Sequence, residues 1–272
     1  KIIVDQVLLG ERMSVENTKH EADAYAYRGN NYTWQAPNID KYATKTFKGY
    51  HRADGKVGTA NYWLFIPTVF CENRNLDVIR EAMHNELGYA VTDKYKRYTR
   101  MLKAAYEKGE QLDSDAVNLS AGTDAKAVRL FKNVDGIKFL NHQGGCGGTR
   151  QDSAILENLL AAYADHPNVG GITVLSLGCQ HLQVDTFIDT IKKRNPHFDK
   201  PIQVFEQQGP MSEEELIKHA IASTFKGLIE INKQERKPAG LDKLTVGVKC
   251  GGSDGFSGIS ANPAVGYFSD FQ

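Results

Sequence analysis

The residues with chemistry to offer stand behind apolar runs. Cys71, Cys146, Cys179 and Cys250, the four cysteines of the chain, each lie within a few residues of a predicted strand end. The last three are flanked by glycine, at Gly145 and Gly147, Gly178, and Gly251. Glycine beside a ligand residue lets the backbone approach a bound group and exposes its N–H donors, which suits a carboxylate, a phosphate or an iron site. Thiolates combined with imidazole select iron or zinc, and His142 precedes Cys146 on the same predicted loop. No C-x-x-C pair is present, which argues against a structural zinc ribbon. The metal-ligand candidates are therefore His142, Cys146, Cys179 and Cys250. The other reading, cysteine as a small buried hydrophobe, stays open for each. A phosphate loop is disfavoured: Gly144 to Gly148 lacks the G-x-x-x-x-G-K-[ST] order, and no G-x-G-x-x-G opens the next helix.

Other polar residues suggest a small anionic substrate. His51 and Arg52 precede the first strand of the main β/α pattern, where they either meet a substrate carboxylate, which a guanidinium grips bidentately, or belong to a solvated loop. Glu206, at the end of the fourth strand beside Gln207 and Gln208, is either a candidate acid or base or a helix-facing surface group. His181, two residues after Cys179, is either a second imidazole of the site or a helix-start residue. Ser253, Asp254 and Ser257 offer hydroxyls and a carboxylate, or simply fill an Asx-type turn among glycines.

Strands and helices must alternate to position these groups. Strands are predicted at 61–70, with Pro67 marking a bend or an edge, and at 134–140, 171–177, 201–205 and 244–248. Helices are predicted at 75–87, 93–108, from about 152 with Asp152 or Ser153 as N-cap, at 184–193, and after the acidic start Ser212-Glu213-Glu214-Glu215. This order predicts an α/β fold, a mostly parallel sheet with helices on both faces in a Rossmann-like three-layer arrangement. It is preceded by a short irregular lead-in over residues 1–47, β-like at Ile2 to Leu9 and then rich in Tyr and Asn. Open parallel sheets bind ligands at the carboxyl ends of their strands, so all four cysteines are expected along one edge.

Composition narrows the class. Of 272 residues, 41% are hydrophobic and 24% charged, within the globular range, and 33 Lys plus Arg balance 33 Asp plus Glu. A nucleic-acid partner is not expected from a balanced charge, and the basic stretch Lys94 to Arg100 reads as a solvated helix face. No run approaches a membrane span and no signal peptide is visible, so a cytoplasmic protein without membrane contact is expected. The start at Lys1 and the ending shortly after a Gly-rich segment suggest a piece of a longer chain.

Longer motifs carry a resemblance. Gly49-Tyr50-His51-Arg52-Ala53-Asp54-Gly55-Lys56-Val57-Gly58-Thr59-Ala60-Asn61-Tyr62 resembles the opening of the middle domain in the altronate/galactarate dehydratase family. His142 to Cys146 is similar to that family's H-x-x-G-C-G loop, Leu177-Gly178-Cys179 to its G-L-G-C-E turn, and Cys250 to Gly266 to its C-G-G-S-D-G-x-S-G-I-x-A-N-P-x-x-G segment. Ala60 and Lys56 stand where the family has Arg. Gln180 stands where it often has Glu and lacks the carboxylate that an acid/base role would need.

The resemblance implies a hydro-lyase that removes water from a sugar acid, D-altronate first among them, giving 2-keto-3-deoxy-D-gluconate. It implies Fe2+, or else Mn2+, another divalent metal or an iron-sulfur cluster. The domains would be a tail of a small N-terminal domain with linker at 1–47, the α/β middle domain at 48–240, and the start of the C-terminal domain at 241–272. The remaining domains of the same enzyme are expected partners, and a homo-oligomer is open. On this basis the catalytic candidates are His142, His51 and Glu206, and the substrate-binding candidates Arg52, Asn61, Gly251, Ser253, Asp254 and Ser257. Two alternatives stand beside it: a sugar-acid or phosphate-binding module with structural cysteines, and a related lyase acting on sulfolactate.

Overall fold

A computed structural model describes residues 35–90, 94–110, 128–249, 251–252 and 254–271. The chain divides into one compact unit over Lys41–Cys250 and a second made of Lys1–Asp40 with Gly251–Gln272.

In the larger unit, after the single turn α1 (Asp40–Ala43), β1 (Thr46–His51) pairs antiparallel with the short β2 (Val57–Gly58). The chain then enters β3 (Tyr62–Pro67), α2 (Asn73–Glu86), α3 (Lys94–Lys108) and β4 (Gly136–Phe139). It continues through α4 (Arg150–Asp165), β5 (Val169–Ser176), α5 (Val184–Arg194), β6 (Ile202–Glu206), α6 (Glu213–Ile231) and β7 (Lys237–Gly240). Strands β4-β3-β5-β6 form a four-stranded sheet, and every pair in it is parallel.

The central strands β3 and β5 are buried on both faces, which is why they read as continuous apolar runs. Trp63 and Phe65 of β3 pack with Leu76, Ile79 and Met83 of α2 and with Leu216, Ala220 and Leu228 of α6. Leu64 and Ile66 point the other way, into Leu160 and Ala164 of α4 and Phe187 and Ile191 of α5. Alternate side chains of one strand thus feed two helix layers, giving the expected three-layer α/β fold. Trp63 needs room, and Gly171 and Gly227 provide it: a Cβ on either would collide with the indole. Both α4 and α6 begin with a reciprocal capping box, Thr149 with Asp152 and Ser212 with Glu215.

Several sequence expectations need correction. The strand expected at 244–248 is irregular, and Val246 and Val248 are 43% and 71% exposed, so their alternation has no core to face. The strand there is instead β7, which pairs antiparallel with β1 in a separate three-stranded sheet ordered β2-β1-β7. Proline at Pro238 is tolerated because β7 is an edge strand. Pro67 does not mark an edge, since it ends a strand paired on both sides, and the chain bends directly after it at Thr68 and Val69. Thr149 is the N-cap of α4, and Asp152 is its capping-box partner. The lead-in is shorter than expected, since Thr46 and Phe47 already belong to β1, and its β-like opening lies outside the described residues.

The smaller unit has the 3-10 turn Gly255–Gly258 and helix α7 (Ala261–Phe271). Among the described residues no helix is long and apolar enough to cross a membrane.

Candidate active site at the carboxyl edge of the sheet

Strand order decides where a crevice opens. In chain order the parallel strands run β3, β4, β5, β6, yet β3 lies between β4 and β5. The chain leaving β3 turns to the helix layer of α2, while the chain leaving β5 turns to that of α5 on the opposite face. Their divergence at the carboxyl ends of β3 and β5 is the topological switch point where such sheets bind ligands.

The glycine-rich loop after β4 is strapped across this point. Gly144 O accepts from Phe70 N–H at 2.9 Å, and Gly145 O accepts from His181 N–H at 3.1 Å, so one loop touches the exits of both β3 and β5. Gly145 has φ +98, and a Cβ there would strike the Thr68 carbonyl, so only glycine lets the loop lie this close. Cys71, Cys146 and Cys179 lie on the three exits, and all are free and exposed. The sequence expectation of cysteines gathered along one edge therefore describes these three, and Cys250 lies outside the described residues.

His142 belongs to the strap. Its Nε2 donates to the Pro67 carbonyl at 2.8 Å and its Nδ1 accepts from Gly144 N–H at 3.1 Å, a pairing that fixes a neutral ring with the proton on Nε2. Both nitrogens are committed, so in this arrangement the imidazole positions the loop. Glu206 ends β6 at the same edge and accepts from Ser176 Oγ at 3.1 Å. Gln180 Nε2 donates to Ser176 Oγ at 2.8 Å and to Leu182 O at 3.1 Å, while its Oε1 accepts from Gly178 N–H at 2.7 Å. Only an amide can donate and accept in this way, and Gln180 shapes the β5 exit as a result.

Within the larger unit, other candidates are not brought to this edge. Arg52 and Asn61 precede β3, which at six residues carries them about 20 Å from its carboxyl end. The Arg52 guanidinium donates to Pro167 O at 2.8 Å, Gln234 Oε1 at 2.8 Å and Asn61 Oδ1 at 3.1 Å. Asn61 is fully buried and donates to the carbonyls of Asn133 and Ile231. Both residues are spent on joining loops at the amino edge. His51 is exposed and its Nε2 lies 3.1 Å from Pro238 O. In the smaller unit Asp254 accepts from Phe256 N–H at 3.0 Å and Ser257 Oγ donates to Asp254 O at 2.6 Å, the Asx-type turn. Gly251 is exposed, and Ser253 lies outside the described residues.

The sequence reading missed two features. Glu72, in the 3-10 turn Phe70–Glu72 after β3, is completely buried, and burial pushes its carboxyl pKa up, opposed by the hydrogen bond from Asn75 and reinforced by Glu213. Its place one residue past Cys71 was the only signal available. At the amino edge, Lys56 pairs with Asp54 at 2.8 Å and Asp165 at 2.9 Å beside a cleft of about 770 Å³ lined also by His166, Arg194 and Lys243. Lys200 lies beneath, donating to Ala164 O at 2.9 Å and His166 O at 2.8 Å.

The donor set for a metal is incomplete in what is described: among the described residues no three His, Cys, Asp or Glu side chains are grouped to hold an ion. Cys146 and Cys179 are free thiols on adjoining loops, whereas the His142 nitrogens are in use.

Comparison with known proteins gives a consistent result. The family described as D-galactarate dehydratase/altronate hydrolase, second domain, matches residues 49–232, and the D-galactarate/altronate dehydratase C-terminal family matches residues 241–272. The altronate dehydratase of Bacillus subtilis (strain 168) is 31% identical over 97% of this chain and 44% of that protein. The altronate dehydratase of Escherichia coli (strain K12) is 27% identical over the same shares. The galactarate dehydratase (L-threo-forming) of Escherichia coli (strain K12) is 27% identical over 83% of this chain and 36% of that protein. The chain thus spans less than half the length of these relatives.

Proposed function

Since the chain belongs to the D-galactarate dehydratase/altronate hydrolase family, we propose that it is the sheet-bearing part of a sugar-acid hydro-lyase, with D-altronate as substrate and 2-keto-3-deoxy-D-gluconate as product. The observation that supports this most is the meeting of three strand exits under one glycine-rich loop at the switch point. Removing a proton next to a carboxylate produces an enediolate, which needs donors aimed at its oxygens, and an acid must help the β-hydroxyl leave. Gly144, Gly145, Gly147 and Gly148 form a backbone that can approach a carboxylate closely, and Glu206 with Ser176 and Gln180 supplies polar groups beside it.

A divalent ion, with Fe2+ first, Mn2+ next and an iron-sulfur cluster as the other form, would neutralise enediolate charge when bound. Cys146 and Cys179 are the described ligand candidates, too few to complete a site. The remaining domains of the enzyme would supply further walls. The proposed location is the cytoplasm.

The test uses the full-length protein prepared without oxygen, with and without added Fe2+, against a panel of aldonates and aldarates, reading formation of 2-keto acid. Turnover of altronate is expected. Binding of a sugar acid without turnover under every metal condition would favour a binding module, and sulfite release from sulfolactate would favour the related lyase.

A further inference from the structure

Two buried oxygen atoms in the turn between β3 and α2 have no hydrogen-bond partner: Glu72 Oε1 and Asn73 Oδ1. They belong to consecutive residues at the switch point. Buried polar atoms are almost always paired, so each marks a place for a donor or acceptor from outside the described residues. The orientation of Asn73 is fixed, because its Nδ2 donates to His142 O at 2.8 Å and a flipped amide would set two oxygens against each other. Its orphaned atom is therefore an acceptor. Glu72 Oε2 accepts from Asn75 Nδ2 at 2.9 Å, which leaves Oε1 as the free end of the carboxyl.

We propose that Glu72 and Asn73 bind the departing hydroxyl of the substrate, Glu72 as its proton donor and Asn73 as its hydrogen-bond acceptor. A hydroxyl is the group that meets both needs, since it accepts from a carboxylic acid with one lone pair and donates its own hydrogen to an amide oxygen. Burial, reinforced by Glu213 and opposed by Asn75, favours the protonated carboxyl that this requires. As the carbon–oxygen bond breaks, its electron pair passes to the oxygen, which takes the Glu72 proton and departs as water. The proton on the carbon next to the carboxylate goes to a separate base, and the resulting enol rearranges to the 2-keto acid.

This inference rests on the dehydratase reading, and the experiment separates the two. Full-length protein is assayed with altronate and with its 3-deoxy-3-fluoro analogue, whose fluoride leaves without needing a proton. Glu72→Gln is expected to slow altronate turnover about 100-fold or more while slowing fluoride release less than roughly threefold. Equal losses on both substrates, or no loss on either, overturn the proposal. Should that variant fail to fold, Asn73→Ala at its partly exposed position carries the same comparison, with selective slowing of altronate expected and an unselective effect refuting. Wild-type protein that turns over no aldonate or aldarate refutes the dehydratase reading and this proposal with it. Wild-type turnover with an unselective Glu72→Gln refutes the proposal alone.

Discussion

His142 fastens its own loop to the end of the neighbouring strand, donating from Nε2 to the Pro67 carbonyl at 2.8 Å while accepting the Gly144 N–H on Nδ1. The ring is a bridge between two backbone groups rather than a free base. Replacing it with Leu leaves both groups without partners, and His142→Leu is expected to cost about 2–4 kcal/mol, since each orphaned buried group costs about 1–3 kcal/mol. Urea denaturation at neutral pH reads the loss. A His142→Leu protein as stable as wild type would return the imidazole to the list of free catalytic groups.

Exposed thiols on three strand exits make a second expectation. Under native conditions without metal, Cys71, Cys146 and Cys179 should all be alkylated by iodoacetamide, as mass spectrometry would show. With Fe2+ present and oxygen excluded, Cys146 and Cys179 of the full-length protein should be protected and Cys71 should not. Uniform labelling with and without iron would remove the thiolates from the proposed metal site.

The indole of Trp63 is tightly enclosed in the core. It is fully buried, donates to Thr173 Oγ1 at 2.9 Å, and is faced by Gly227 so closely that a methyl group there would overlap the ring. Gly227→Ala gains helix propensity but overpacks the core, and the expected net loss is about 1–3 kcal/mol. Thermal or urea unfolding measures it. A stabilised variant would mean that the indole can shift without cost.

What the sequence made legible follows from where information is local. Strands β3 and β5 are buried on both faces, so runs such as Trp63 to Ile66 and Ile172 to Leu175 announce themselves, and the cysteines that follow are thereby placed at an edge. Strand β7 is invisible because Lys-Pro-Ala-Gly has no strand pattern and owes its pairing to β1, far away in the chain. Val246 and Val248 mislead for the converse reason, an alternation with nothing to cover it. Arg52 and Asn61 are substrate-binding candidates by motif alone, yet residues that precede a parallel strand lie at its amino edge. Glu72 gave no periodic cue to its burial, which only the packed turn reveals.

Lys200 gives the fold a pH dependence of its own. Burial, together with Arg52 beside it, pushes the ammonium pKa down to about 7, against the pull of Asp165 and Asp54. In the unfolded chain the amine keeps a pKa of about 10.4. Between these values the unfolded state binds the extra proton, so the contribution of Lys200 to stability grows as pH rises from about 7 towards 10.4 and is lost as pH falls back through 7. Lys200→Met removes the titration, along with two hydrogen bonds to the end of α4. The stability difference between wild type and Lys200→Met is therefore expected to move in favour of wild type between about pH 6.5 and about pH 9.5, by less than the limiting 1.4 kcal/mol or so per pH unit for one proton. Chemical denaturation of both proteins across that range provides the measurement. A difference that stays constant with pH would show that water or a local rearrangement keeps the Lys200 amine near its ordinary pKa, and that its role at the amino edge is confined to its two carbonyl contacts.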